Sequence, residues 1–123
     1  MDDREKLQER RKQKALERLG TNSPVCVLCE EADWRCLELH HIAGKSFDGA
    51  LAIACRNCHR KLSDMQKDHP QSASTPPEQL DRIGHFLLGL ADLFALLVEK
   101  FREIGRDLIV RSRMIAESTK VPS

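Results

Sequence analysis

The stretch that decides how this chain folds runs from residue 26 to residue 59. It reads Cys26-Val27-Leu28-Cys29, then Leu37-Glu38-Leu39-His40-His41-Ile42, then Cys55-Arg56-Asn57-Cys58-His59. Two Cys-x-x-Cys knuckles with 25 residues between them supply four thiolates, the complement of one tetrahedral zinc ion. Three histidines remain, more metal-competent side chains than a single site uses. The stretch therefore divides into a structural zinc site on Cys26, Cys29, Cys55 and Cys58 and a separate reactive metal centre. In a domain this small such an ion supplies much of the folding free energy, on the order of 10 kcal/mol apparent.

Between the knuckles, residues 30–35 turn the chain out of the first Cys pair. Cys36 to Ile42 then alternates as a strand, with Leu37, Leu39 and His41 on one face and Cys36, Glu38 and His40 on the other. Cys36, the odd cysteine, reads as a small buried residue rather than a ligand. Residues 43–49 form a loop, Ala50 to Ala54 a short apolar strand, and Arg56 to Gln66 a helix that opens on the second knuckle. Adjacent on a strand, His40 and His41 start on opposite faces and suit two different tasks; His59 follows Cys58 at the start of the helix.

The flanks are helical. Residues 1–20 hold a charged N-terminal helix with acidic residues early, Gly20 as its stop and only its last turn apolar enough to be buried. Its run Arg10-Arg11-Lys12-Gln13-Lys14 reads as a solvated face, with phosphate contact as the alternative. Residues 21–68 are the zinc-braced domain, and Pro and Ser mark 69–77 as a linker. Thr75-Pro76-Pro77-Glu78 reads as a capping box opening the helix of residues 78–118. There Ile83, Leu87, Leu90, Phe94, Leu97, Phe101, Ile104 and Leu108 recur at four- and three-residue steps, a heptad seam. Gly84, Gly89 and Gly105 are its weak points. The apolar core of this helix, Phe86 to Val98, contains Asp92 and is shorter than the ~20 residues of a membrane span. A seam this wide is expected to make a homodimer or higher oligomer.

Composition narrows the partners. The net charge is +1, so affinity for phosphate has to be local rather than global. One Trp, four Phe and no Tyr argue against base stacking as the main mode of binding. A densely charged N-terminus does not read as a signal peptide, and cysteines in C-x-x-C pairs favour metal over disulfides, so a cytoplasmic location is expected.

The pattern Leu39-His40-His41-Ile42 followed by Cys55-Arg56-Asn57-Cys58-His59, with Cys26 and Cys29 upstream, resembles the HNH endonuclease family. The resemblance covers roughly residues 15 to 68. It implies an α+β fold in which a ββα-metal core, braced by a four-cysteine zinc, carries one divalent cation. It implies His41 as general base, with His40 and His59 as ligands of a catalytic Mg²⁺ or other divalent metal, hydrolysing phosphodiester bonds of DNA, double-stranded in preference to RNA. Lys45, Arg56, Arg60 and Lys61 cluster around the proposed metal in sequence and are candidate phosphate contacts. The family's central Asn falls at Ala50 here, which would move its task of tying down the loop to Asp48. A second reading stays open: a non-catalytic zinc module that binds nucleic acid or protein on the same scaffold.

Overall fold

The computed structural model describes residues 1–47, 49–72 and 78–120. Helix α1, Asp3–Leu19, is started by a reciprocal cap: the Glu5 N–H donates to Asp2 Oδ1 (2.8 Å) and the Asp2 N–H to Glu5 Oε2 (3.2 Å). Gly20 ends it at φ +79°, a left-handed turn that lets its N–H reach back to the carbonyls of Leu16 (2.9 Å) and Glu17 (3.2 Å). Only Leu16 and Leu19 of this helix are buried, so its last turn alone is anchored.

The first knuckle follows, closed by Cys26 N–H to the Glu31 carbonyl (2.8 Å) and tied to the sheet by Val27 N–H to the Ile53 carbonyl (3.0 Å). A 3₁₀ turn, Trp34–Cys36, capped by the Asp33 side chain, leads into β1, Leu37–His41. Cys36 thus lies in the turn and not in the strand, and it is only half-buried. β1 pairs antiparallel with β2, Leu51–Cys55, in the register Leu37 opposite Cys55 and His40 opposite Ala52. The Ile42 N–H bonds the Ala50 carbonyl (3.1 Å) and closes the loop between the strands. Asp48 lies outside the described residues.

Helix α2, Arg56–Gln66, starts directly on β2 because Cys55 is its N-cap, its sulfur accepting from the Cys58 N–H (3.4 Å). One sulfur therefore serves both the metal cluster and the helix start. Leu19, Leu28, Leu37, Ile42, Ala54, Leu62 and Leu93 form the core around the cysteines.

Helix α3, Gln79–Ser118, has 40 residues, about 60 Å at 1.5 Å per residue. Its N-cap is Glu78, without a side-chain cap bond; the expected box from Thr75 lies outside the described residues. The two halves of α3 differ. The first folds back on the head through His85, Gly89 and Leu93, which are buried, with Phe86, Leu90, Leu96 and Leu97 beside them. Gly89 is not a weak point but the contact itself: a Cβ there would lie 1.6 Å from the Ile42 carbonyl oxygen. Only a glycine lets the two backbones approach this closely. The face defined by Leu87, Phe94, Phe101, Ile104 and Leu108 is exposed, and from Phe101 onward α3 leaves the head. Among the described residues no helix is long and apolar enough to cross a membrane.

Candidate metal and reactive site

The four thiols of the two knuckles converge. The Sγ atoms of Cys26, Cys29, Cys55 and Cys58 all lie within 4.8 Å of one another, and Cys29 and Cys55 are 3.5 Å apart. Four sulfurs at ~2.3 Å around one tetrahedral ion stand about 3.8 Å apart, so the cluster needs little adjustment to take zinc. Its electrostatics ask for a cation. Burial pushes the Cys26 thiol up, but the backbone N–H groups of Cys55, Leu28 and Cys29 more than offset this and bring it to about 7. Burial pushes Cys29 up, against the backbone N–H of Glu31 and together with the Cys55 and Cys26 sulfurs. Cys58 is pushed up by burial and then by the sulfurs around it. The Cys26 thiolate forms readily while those of Cys29 and Cys58 are opposed, which a bound divalent ion reverses. These residues fit a structural zinc.

The histidines adjoin the second knuckle, His59 following directly on Cys58. Glu38 and His40, two residues apart on β1, share the strand face that α2 covers, and His59 meets them from the first turn of α2. His40 is 1% exposed, and its ring stands edge-on to that of His59 with centroids 5.3 Å apart. Burial, reinforced by the neighbouring His59 and His41, pulls His40 down to about 4, so at neutral pH it is an uncharged imidazole with a lone pair to give. His59 Nδ1 lies 2.7 Å from Glu38 Oε2. With Nδ1–H donated to that carboxylate, Nε2 is the acceptor nitrogen of His59. Arg56 Nε approaches the other Glu38 oxygen at 3.4 Å.

His41 ends β1 on the opposite face. Its carbonyl accepts from the Gly44 N–H (3.0 Å) and from Gln66 Nε2 (2.8 Å), and Gln66 also reaches the Ile42 carbonyl (3.3 Å). Its Nδ1 is buried with no hydrogen-bond partner among the described residues. Buried polar atoms are nearly always paired, so this nitrogen is an exception among the described residues.

Glu38 and Gln66 were not singled out from sequence, although the signals exist. Glu38 is two residues before His40 on a strand, and Gln66 is seven residues after His59, two turns along one helix. The four candidate phosphate contacts are not gathered at one place. Arg56 borders the histidines through Glu38, and Lys45 lines a hollow with Gln66, His69 and His85. Arg60 and Lys61 lie on the outer face of α2 with Asn57, Asp64 and Lys67. Compared with known proteins, the chain matches no family model, no curated protein and no solved structure.

Proposed function

We propose that this chain is a metal-dependent endonuclease that hydrolyses phosphodiester bonds of DNA, with the thiolate cluster as scaffold and the histidines as reactive centre. The observation that carries the reading is the junction of His40, His59 and Glu38 beside His41, whose backbone is clamped by Gln66. His40 and His59 are the candidate ligands of a divalent ion: their rings stand edge-on with centroids 5.3 Å apart, and imidazole chemistry suits zinc, nickel or iron better than magnesium. Such an ion supplies charge that neutralises the scissile phosphate and the leaving 3′-oxygen.

The chain's own residues do the rest. Glu38 holds the His59 ring in one tautomer and one orientation. Burial keeps His40 neutral. His41 accepts a proton from the attacking water, and the clamp on its carbonyl limits how far its ring can stray. In this reading Gln66 and the Ile42–Ala50 backbone bond tie down the loop where the related nucleases use Asn. The non-catalytic zinc module is the second reading, favoured by Ala50 in that place. Nicking of supercoiled plasmid by purified protein with Mg²⁺, Mn²⁺, Ni²⁺ or Zn²⁺ separates the two. Cleavage in any metal that His41→Ala abolishes upholds the nuclease; no cleavage in all four leaves the module.

The exposed seam of α3 supplies a second copy of the same chain. Phe94 and Phe101 are 59% and 67% exposed, as are Leu87, Ile104 and Leu108 at about half or more, a row too apolar to be left in water. Packed against the same row of a second copy, Phe94, Phe101, Ile104 and Leu108 would be removed from water. Light scattering tests this: a monomer at micromolar concentration refutes it, and Phe101→Glu is expected to halve the mass without changing the melting of the head.

A further inference from the structure

One basic surface begins beside the imidazole cluster and runs away from it along α1. The hollow between α1 and the 3₁₀ turn has a volume of about 470 Å³ and is lined by Arg11, Lys14, Arg18, Arg35 and Arg56, with Trp34 in its wall. Arg11, Lys14 and Arg18 follow i, i+3, i+7 spacing and so share one face of α1. None of the three has a carboxylate partner among the described residues. Arg35 is held bidentate by Asp33, Nε to Oδ1 at 3.0 Å and a terminal nitrogen to Oδ2 at 2.8 Å, which stiffens the turn carrying Trp34. The one carboxylate in the lining, Glu38, is already engaged by Arg56 and His59.

We infer that this hollow is a binding groove for the phosphodiester backbone of a nucleic acid strand, leading it to His59. Three features separate it from an ordinary solvated helix face. The free cations converge on a concavity instead of spreading over a convex surface. The far end is bounded by charge, since Glu5 and Glu9 line the neighbouring hollow along α1. The near end opens at Glu38 and Arg56, the residues that border the His59 ring. From Arg11 to Arg18 is about 10 Å along the helix, the axial rise of about three phosphates of one strand. Trp34 offers a face to one unpaired base, while the phosphate contacts carry the affinity. The direction of the strand, toward His59, rests on the nuclease reading; the groove itself does not.

Trp34 is the chain's one tryptophan and there is no tyrosine, so intrinsic fluorescence reports on the groove directly. The experiment titrates a single-stranded DNA oligonucleotide into the full-length, zinc-loaded protein without added divalent metal, reading Trp34 emission and oligonucleotide anisotropy across a salt series. Binding is expected to quench Trp34. The triple variant Arg11→Ala, Lys14→Ala, Arg18→Ala is expected to weaken binding roughly tenfold or more and to reduce the salt slope by about 2. Lys6→Ala, Arg10→Ala, Arg113→Ala removes the same charge elsewhere and is expected to bind within about threefold of the parent. Absent quenching, or equal losses in the two triple variants, overturns the groove. Binding with these properties but no cleavage in any metal upholds the groove and sinks the nuclease; cleavage with an unaffected Arg11, Lys14, Arg18 variant does the reverse.

Discussion

The thiol cluster and the imidazole cluster adjoin, with Cys55, Cys58 and His59 inside five consecutive residues, yet they are built to different degrees of closure. Four sulfurs from two knuckles meet within 4.8 Å and leave no position open. The imidazoles are two, with a carboxylate behind one of them and an unpaired nitrogen on the neighbouring His41. A closed tetrahedral set holds a fold together, whereas on the proposed nuclease reading an incomplete set leaves room for water and substrate. The same few residues of backbone thus serve both, because Cys55 caps α2 and α2 then presents His59 toward β1.

The largest effect is expected on the closed side. Cys55→Ser removes a sulfur, the cap of α2 and the charge balance of the cluster at once. The head is expected to lose its folded state, with a free-energy change on the order of 10 kcal/mol apparent. Metal analysis of the parent after mild chelator dialysis is expected to give one tightly held zinc per chain. A parent without zinc, or with disulfides among the four cysteines, overturns the closed set.

On the open side the loss is one of rate. His41→Ala is expected to lower plasmid nicking by ~10²–10⁴-fold while zinc content and thermal unfolding stay near the parent's. Glu38→Gln is expected to fall between these cases, with weaker affinity for the second metal and an intact zinc. If Glu38→Gln instead lost zinc, the two clusters would be one coupled unit and the contrast between them would fail.

The contrast also explains what was legible in the sequence. Knuckle spacing is local information, so the four cysteines and the helix beginning at Arg56 could be read directly. Period-two alternation placed the strand ends to within a residue, though the 3₁₀ turn took Cys36 out of the strand. The contact of α3 with the head was hidden for a physical reason. Its centre is Gly89, whose lack of a side chain permits the approach to Ile42, flanked by His85 and Leu93. A hydrophobic count instead picks out Leu87, Phe94 and Phe101, which face away. Glu38 and Gln66 were missed because each acts on a residue more than 20 positions distant.

Glycine substitutions turn that last point into a measurement. Gly89→Ala is expected to cost about 1–3 kcal/mol in chemical denaturation, because the backbone of α3 or of Ile42 has to move. At Gly84 and Gly105 an added Cβ meets nothing within 4 Å, so alanine there is expected to stabilise α3 by up to ~1 kcal/mol. Equal effects at all three positions would show that α3 is not seated on the head through Gly89.

The smallest effect concerns pH and the latch beside that seat. Both ring nitrogens of His85 face carbonyl oxygens, Nδ1 that of Asp81 (2.9 Å) and Nε2 that of Pro70 (2.7 Å), and the ring stacks on Phe47 with centroids 4.2 Å apart. Asp81 Oδ1 stands 3.4 Å from His85 Nδ1, and the other oxygen, Oδ2, accepts from the Ser72 hydroxyl. Burial lowers the His85 pKa, but the two backbone carbonyls and the Asp81 charge outweigh it, so the group is raised above its ordinary value. Only the imidazolium can donate to both carbonyls. A raised pKa in the folded chain means stability that is fully present below the unfolded value, ~6.5, and lost as pH rises through the folded one. Deprotonation leaves one N–H and the Phe47 stack in place, so the loss is that of about one hydrogen bond, ~0.5–1.5 kcal/mol. The parent is therefore expected to gain stability relative to His85→Gln as pH falls from 8 to 6. His69→Gln serves as control for the neighbouring contact of His69 Nε2 with Asp92 of α3 (2.7 Å). Parallel pH curves for the parent and His85→Gln would mean that the latch does not titrate, leaving Gly89 as the contact that seats α3.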